Sequence, residues 1–280
     1  MTQNTNKQME QVFEQAKNLY KKDQLAAARA SLAAKGKSPR EIGHESLLKV
    51  IQWIYQWGYT TSSTIQMLVG RTSGGYANKL TNQGWLIYTK TASGSPTGFY
   101  SLSEKGLAEA ERHTPCLYHY QEINPYKVDQ LQIRHNILAQ SSTVNGLNEG
   151  TIISYETERM LVVDGDKFCQ KRPDVVWTTK SGLRAGVEIE LTAKWGQKLD
   201  EFILRVAVGL TSAEGKSATY DRFMIASDSP AIISRYQDAV KPGALVSSWK
   251  KSPRNHWIQD KTEPVADWLI SKVDFYLIKK

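Results

Sequence analysis

Residues 172–202 read RPDVVWTTKSGLRAGVEIELTAKWGQKLDEF, and this stretch decides the fold of the second half of the chain. Its first part, PDVVWTT, is an apolar strand candidate. Its middle part predicts a second strand, because Val187 and Ile189 alternate with Glu188 and Glu190 at the two-residue period of a β-strand. GQKLDEF then begins a helix. The stretch therefore predicts two neighbouring strands followed by a helix.

The sequence on either side extends this pattern into an α/β domain with a mixed sheet. Upstream, residues 125–140 predict a helix and TIISYETERM, which begins at Thr151, predicts a strand. Downstream, YDRFMIASDS predicts a strand, SPAIISRYQDAV a helix and GALVSSW a further strand. An α-β-β-β-α-β-α-β order is typical of a mixed sheet flanked by helices.

Three carboxylates in this region form a candidate metal and catalytic site. Side chains at i and i+2 of a strand point the same way, so Glu188 and Glu190 share one face. Asp174 stands in an apolar strand candidate, where an unpaired carboxylate is costly to bury. Carboxylate oxygens are the ligands that Mg²⁺ and Mn²⁺ prefer, and Lys194 lies just beyond. The alternative is that the two glutamates belong to an edge face and are simply solvated.

The spacing of these residues matches the PD-(D/E)xK nuclease pattern with one departure. A Pro-Asp pair ending at Asp174 is followed fourteen residues later by Glu188 on the next strand. The lysine of the pattern is replaced by Glu190, so a lysine must come from elsewhere. Lys194 is the nearest candidate, and Lys198 on the following helix is the second.

The region from Ser46 to Glu111 predicts a different kind of domain. SLLKVIQWIYQWG, TTSSTIQMLVG and RTSGGYANKLTNQGWL predict three helices, each with a glycine as its stop. LIYTKT and GFYSLS predict two strands joined by the turn-rich loop ASGSPT, and SEKGLAEAE starts another helix. Three helices followed by a β-hairpin are the element order of a winged helix-turn-helix domain.

In such domains the third helix enters the DNA major groove and the wing touches the DNA backbone. A winged helix that contacts only protein is the alternative. The residues predicted to contact DNA are Arg71, Ser73, Tyr76, Asn78, Lys79 and, on the wing, Lys90.

Basic charge gathers at both ends of the 280-residue chain, whose formal net charge is +8. Residues 1–40 hold eight Lys and Arg against three Asp and Glu, and residues 241–280 hold eight against four. Basic ends suit contact with a polyanion, of which nucleic acid is the commonest. Near the C-terminus, Trp249 and Trp257 lie among basic residues; they either stack on single-stranded bases or cover the core.

The two halves together resemble the replication-relaxation family, and in particular its MobC-type plasmid relaxases. The resemblance lies in a winged helix followed by RHNILAQ, RPDVVW and VEIELTAKWGQKLDEF, over residues 45–240. It implies a metal-dependent endonuclease that nicks plasmid DNA at a transfer origin during conjugative mobilisation. Its implied metal ligands for Mg²⁺ or Mn²⁺ are Asp174, Glu188 and Glu190, and its implied catalytic residues are these three with Lys194 and His135.

The implied partners are double-stranded plasmid DNA, with an exposed single strand at the nick, and accessory mobilisation or coupling proteins. Two other functions remain open. One is a non-catalytic plasmid replication or transcription regulator, which the replacement of the pattern's lysine favours. The other is a restriction or transposon-end nuclease that cuts both strands. His135 has its own alternative as a packed helix histidine.

The expected fold class is α+β, with a basic helical arm at 1–44, a winged helix at 45–114 and a nuclease-like domain at 115–280. Deleting residues 1–110 should then leave the nuclease-like domain folded. The polar N-terminus, the absence of a long apolar run and the presence of only Cys116 and Cys169 favour the cytoplasm. The sequence contains no GxxxxGKS phosphate loop and no GxSxG elbow.

Overall fold

A computed structural model of the protein describes residues 22–24, 26, 36–72, 74–161, 172–212 and 217–278. The protein is a mixed α+β structure, as the sequence predicts. The chain divides into two compact units, Met1–Lys49 and Val50–Lys280. None of the described helices is long and apolar enough to cross a membrane.

In the first unit, a capping box starts a helix, α1 (Pro39–Trp57), that continues into the second unit. The Glu41 amide donates to Ser38 Oγ at 3.2 Å, and the Ser38 amide donates to the Glu41 carboxylate at 2.7 Å. Pro39 takes the first helical position, where it loses no hydrogen bond. The helix therefore starts earlier than the predicted Ser46. The arm predicted for 1–44 lies largely outside the described residues.

The next elements are α2 (Ser62–Val69), α3 (Tyr76–Asn82), β1 (Leu86–Lys90), β2 (Gly98–Leu102) and α4 (Glu104–Arg112). The Thr61 hydroxyl caps α2 by accepting from the Thr64 amide, and Gly70 ends the helix in the left-handed conformation. β1 and β2 pair as an antiparallel hairpin. Thr60, just before α2, forms an antiparallel bridge to Tyr100 of β2.

A second group of elements builds the main sheet. Two short 3₁₀ turns, Pro125–Lys127 and Gln130–Gln132, come first. The elements that follow are α5 (Ile133–Glu149), β3 (Ile152–Thr157), β4 (Val175–Thr179), β5 (Arg184–Ile189), α6 (Gln197–Leu210), β6 (Arg222–Ser227), α7 (Pro230–Val240), β7 (Leu245–Lys251), β8 (Trp257–Pro264), α8 (Leu269–Lys272) and β9 (Val273–Leu277).

The main sheet has the strand order β3-β4-β5-β6-β9. β3, β4 and β5 are antiparallel neighbours, whereas β6 pairs parallel to β5 and β9 pairs parallel to β6. α6 and α7 pack on this sheet through Phe202, Phe223 and Tyr236, whose rings meet edge to face. β7 and β8 form a separate two-stranded ribbon. The sequence had predicted neither β8 nor β9.

Residues of α1 and the segment after it share a core with α5 and β3. The buried Gln140 side chain accepts from Trp53 Nε1 at 2.9 Å and from Thr60 Oγ1 at 2.6 Å, and it donates to the Tyr59 carbonyl at 2.8 Å. The Trp53 ring lies 5.1 Å from the ring of Tyr155. Elements on both sides of residue 114 therefore depend on each other within the second unit.

We expect a chain that begins at residue 111 to lose cooperative folding, contrary to the expectation from sequence. The deletion removes every hydrogen-bond partner of the Gln140 amide named above, and each buried polar group left without a partner costs about 1–3 kcal/mol of stability. It also exposes the apolar surface around Tyr155 to water. Thermal melting followed by circular dichroism measures the effect, with residues 36–280 as the control. Melting of residues 111–280 at the temperature of the control would show that this core is dispensable.

Candidate active site at the ends of β4 and β5

Asp174 lies directly before β4 and its carboxylate is tied to β5. Its amide donates to the Val187 carbonyl at 3.0 Å, and its Oδ2 accepts from the Ile189 amide at 2.7 Å. Through these two bonds, Asp174 extends the hydrogen bonding between β4 and β5 by one residue before the start of β4. The sequence had placed Asp174 inside the strand; it precedes the strand and keeps a partly accessible carboxylate.

Glu188 and the residue after β5, Glu190, are both buried, with 5 % and 4 % of their surface exposed. β5 is an inner strand of the sheet, so the alternative of two solvated glutamates on an edge face is wrong. Glu188 pairs in register with Ile225, and that face of the sheet carries the aromatic core around Phe202. Two buried carboxylates side by side require a positive partner, because an unpaired buried charge is strongly destabilising.

Lys194 supplies that positive partner. Its ammonium group pairs with Glu190 Oε1 and lies 3.8 Å from Glu188 Oε1, with 30 % of the side chain exposed. It also lies 4.9 Å from the centre of the Phe202 ring. Lys198, the second candidate lysine, is exposed on α6. Of the two lysines considered, Lys194 is the one that contacts the glutamates.

Two residues of α7, Arg235 and Tyr236, lie against this arrangement. Arg235 donates from Nε to the Lys194 carbonyl at 2.8 Å, and its guanidinium stacks on the Trp195 ring at 3.2 Å. Burial raises the pKa of the Tyr236 hydroxyl, and the neighbouring charge of Glu190 raises it further. Only the packing of α7 on the sheet brings these residues to the site, so no local sequence pattern could have revealed them.

His135 reaches Asp174 from the first turn of α5. Its Nε2 lies 3.2 Å from Asp174 Oδ2, and its Nδ1 lies 3.2 Å from Asn136 Oδ1. Asn136 in turn donates to the Tyr59 hydroxyl at 2.8 Å. Both ring nitrogens thus face acceptors, which suits the doubly protonated imidazolium. The helix was predicted from residue 125, but α5 starts at Ile133 because two 3₁₀ turns precede it.

The surroundings of His135 favour its charged form. Burial lowers the pKa of the imidazole, but the hydrogen bond and charge of Asp174 outweigh it, with help from Asn136 and Glu188. The net result raises the pKa of His135 from 6.5 to about 9. At neutral pH this histidine is therefore a proton donor and a positive charge rather than a base.

We expect the His135–Asp174 pair to make the free energy of unfolding depend on pH in metal-free buffer. Because the folded pKa of about 9 exceeds the unfolded value of 6.5, the stabilisation is complete below 6.5 and is lost as pH rises through 9. It should reach about 3 kcal/mol. Urea unfolding between pH 6 and 10 measures it, and His135→Gln serves as the reference. Equal pH profiles for both proteins would exclude the pair as the cause.

A cleft of about 250 Å³ opens beside Asp174. Its lining includes Tyr59, Glu122, Asn136, Arg159 and Asp174. The guanidinium of Arg159 pairs with Glu122 and also donates to a backbone carbonyl at 2.7 Å. The cleft gives a small polar group access to the Asp174 carboxylate.

The donor set suits the divalent cation that the PD-(D/E)xK pattern implies. Asp174, Glu188 and Glu190 offer hard oxygen ligands of the kind that Mg²⁺ and Mn²⁺ bind. With Lys194 and a protonated His135, the five side chains carry a net charge of −1, which leaves the site attractive to a cation. Within the described ranges, however, no three His, Cys, Asp or Glu side chains are grouped to hold a metal as they are placed. A bound ion would therefore require these side chains to be rearranged, including Lys194, which contacts both glutamates.

The predicted DNA-contacting residues differ in exposure. Arg71 is exposed and its guanidinium lies 4.0 Å above the ring of Tyr76. Tyr76 is only 5 % exposed, so most of its ring belongs to the core and little surface is left for DNA. Ser73 lies outside the described residues.

The other three predicted DNA-contacting residues are accessible. Asn78 and Lys79 are exposed on α3, and Asn78 Oδ1 accepts from the Tyr100 hydroxyl at 2.8 Å. Lys90 is exposed at the end of β1, where the hairpin loop begins. An exposed cation on the helix and another on the hairpin are compatible with contact to a polyanion.

Comparisons of the chain with protein-family models, with curated proteins and with solved structures found no match. The functional assignment consequently depends on the geometry of the residues described above and on the sequence patterns that led to them.

Proposed function

We propose that this protein is a metal-dependent, site-specific DNA nickase of plasmid mobilisation, in which a winged helix recognises duplex DNA and a PD-(D/E)xK-like domain cleaves one strand. One observation carries the proposal: His135, Asp174, Glu188, Glu190 and Lys194 lie together around the ends of β4 and β5. Residues from three separate segments of the chain thus lie near one another, which supports the nuclease-like proposal.

The hairpin and the helices before it support a winged-helix assignment. α1, α2 and α3 precede the β1–β2 hairpin, and a single antiparallel bridge joins Thr60 to Tyr100 of the hairpin. α3 offers Asn78 and Lys79 to a major groove, and Lys90 lies on the wing. Duplex plasmid DNA is the partner that this arrangement would bind.

The main sheet supports the nuclease-like assignment. β3, β4 and β5 form an antiparallel meander, and α6 connects β5 to the parallel strand β6. Asp174 at the start of β4 and Glu188 on β5 match the Pro-Asp and Glu positions of the pattern. Lys194 brings its ammonium group back from the following loop to the Glu190 position, which in the pattern holds lysine.

The side chains of this site have distinct parts in phosphodiester cleavage. Asp174 holds His135 in its protonated form, so that the imidazolium can donate a proton or stabilise negative charge on the phosphate. Lys194, once separated from Glu190, provides a second positive charge. A divalent cation held by Asp174, Glu188 and Glu190 would supply polarisation of the phosphoryl oxygen.

Supercoiled plasmid carrying the candidate transfer origin tests this function. Incubation with the protein should convert it to the open circle only when Mg²⁺ or Mn²⁺ is present. Linear product would instead favour a nuclease that cuts both strands. Duplex binding without any cleavage, with either ion, would refute the nickase.

A non-catalytic plasmid replication or transcription regulator is the second candidate. The contact of Lys194 with both glutamates favours it, because an internal ammonium group already compensates the charges that a metal would compensate. This candidate predicts no measurable Mn²⁺ binding by calorimetry, whereas the nickase predicts binding. Under either function the protein acts on DNA in the cytoplasm, and accessory mobilisation or coupling proteins are expected only for the nickase.

A further inference from the structure

The β7–β8 hairpin is attached to the second unit at one end and exposed at the other. Near its base, Val246 is buried and Trp249 Nε1 donates to Asp200 Oδ2 at 2.8 Å. Every residue of β8, Trp257–Pro264, is exposed. The end of the hairpin beyond Trp249 therefore has no packing role in the core.

This free end carries a concentration of positive charge. Lys250 and Lys251 end β7, and Arg254 and His256 lie in and just after the turn that leads to β8. Asp260 neutralises Lys250 at 2.5 Å. Within the part of the chain that the structure describes, neither Lys251 nor Arg254 forms an ion pair. Two uncompensated cations on a protruding turn suit binding to a polyanion.

The dimensions of the hairpin agree with those of a DNA groove. Beyond Trp249 it extends for about three residues along each strand, or about 10 Å. The major groove of B-DNA is about 12 Å wide and 8.5 Å deep, and it admits a two-stranded β-ribbon. The hairpin can therefore enter the groove while Lys251 and Arg254 reach the phosphates at its edge.

The residue that contacts the base of the hairpin lies close in the sequence to the candidate active site. Asp200, which holds Trp249, belongs to the first turn of α6 and follows Lys194 by six residues. The Trp257 ring is 47 % exposed and lies 5.6 Å from the Lys251 ammonium. The match between the two-stranded ribbon and the major groove favours duplex DNA over a single strand as the occupant.

We propose that the β7–β8 hairpin inserts into the major groove of duplex DNA and binds flanking phosphates through Lys251 and Arg254, as a DNA-binding surface additional to the winged helix. The inference rests on the proposed DNA-binding function, but it does not require cleavage. It gives the basic β7–β8 hairpin a defined role in DNA binding.

Fluorescence anisotropy with the full chain tests the inference. The probes are a labelled 30-base-pair duplex of random sequence and its single strand, in EDTA, over a series of salt concentrations. The variants are Lys251→Glu/Arg254→Glu and the milder Lys251→Gln/Arg254→Gln. The control, Lys180→Glu/Lys241→Glu, changes the net charge equally at exposed positions outside the hairpin.

We expect the Lys251→Glu/Arg254→Glu variant to bind the duplex at least about 10-fold more weakly near 0.1 M salt. The slope of log affinity against log salt should fall by about 2, because two phosphate contacts are lost. The glutamine variant should lose less affinity and the control little. Thermal melting verifies that each variant is folded.

Four results would overturn the inference. Equal losses in the hairpin variant and the control would mean that only net charge matters. A loss confined to the single strand would assign the hairpin to single-stranded DNA. A wild-type chain that binds no duplex would refute the proposed DNA-binding function itself. A hairpin variant that binds the duplex as tightly as the wild type, and also nicks plasmid normally, would refute this inference alone.

Discussion

We expect Asp174→Ala to abolish nicking of supercoiled plasmid and to leave duplex binding close to that of the wild type. Asp174 would lose both its role as a metal ligand and its contact with His135, whose Nε2 lies 3.2 Å away. Loss of several kcal/mol of charge stabilisation corresponds to a rate decrease of about 1,000-fold or more. The proposed DNA-binding surface, with Lys79 and Lys90, does not include Asp174, so DNA recognition should survive.

A conservative substitution at the same position, Asp174→Asn, separates a catalytic effect from a folding effect. Alanine also removes the acceptor of the Ile189 amide, which costs about 1–3 kcal/mol if that group is left unsatisfied. Asp174→Asn keeps an oxygen for this bond but removes the negative charge. Asp221→Asn is the matched control, because Asp221 accepts in the same way from the Arg184 amide, at 2.8 Å. A folded Asp174→Asn protein that nicks at the wild-type rate would rule out the nuclease-like site.

The same logic extends to the glutamates. Glu188→Ala should behave like Asp174→Ala in the nicking assay, because Glu188 occupies the second acidic position of the pattern. Glu190→Ala tests whether Glu190, which stands where the pattern has lysine, is required for nicking. Since both are buried beside Lys194, thermal melting must accompany each assay.

We expect Lys194→Met to destabilise the protein by about 3 kcal/mol and to strengthen its binding of Mn²⁺. Removing the ammonium group leaves two buried carboxylates without their shared partner, and breaking a buried pair of this kind costs about 3–5 kcal/mol. The side chain is partly exposed, so the lower end of that range applies. A divalent cation can replace the lost charge, and binding to the folded state raises stability.

Urea unfolding and calorimetry, each with and without Mn²⁺, measure the two effects. Lys198→Met is the matched control, since Lys198 is exposed on α6 four residues further along. The double variant Lys194→Met/Glu190→Gln should recover most of the lost stability, because only one buried carboxylate then remains. If Mn²⁺ stabilises the wild type and Lys194→Met equally, the metal does not bind at these glutamates.

The local pattern of the sequence was sufficient for most of the elements. Alternation of apolar residues predicted β5, and glycine stops predicted the ends of the helices before the hairpin. These are short-range effects, set by backbone geometry and by which face of an element is apolar. The same reasoning failed at β8, because every residue of that strand is exposed and no apolar alternation marks it.

The candidate site was predicted in its residue types but not in its environment. Asp174, Glu188 and Lys194 were singled out from spacing alone. Spacing could not show that Glu188 and Glu190 are buried, because burial depends on β5 being an inner strand with α6 and α7 packed over that face.

By itself, the sequence determined an α+β fold and the carboxylates, histidine and lysine that are candidates for chemistry, since local patterns encode periodicity and residue type. Tertiary structure alone decided that His135 meets Asp174 and that Lys194 compensates two buried glutamates. It also decided that Gln140 joins the two halves that the sequence had treated as separate. These contacts join residues far apart in the chain, and their energies arise from desolvation and charge, which exist only once the core excludes water.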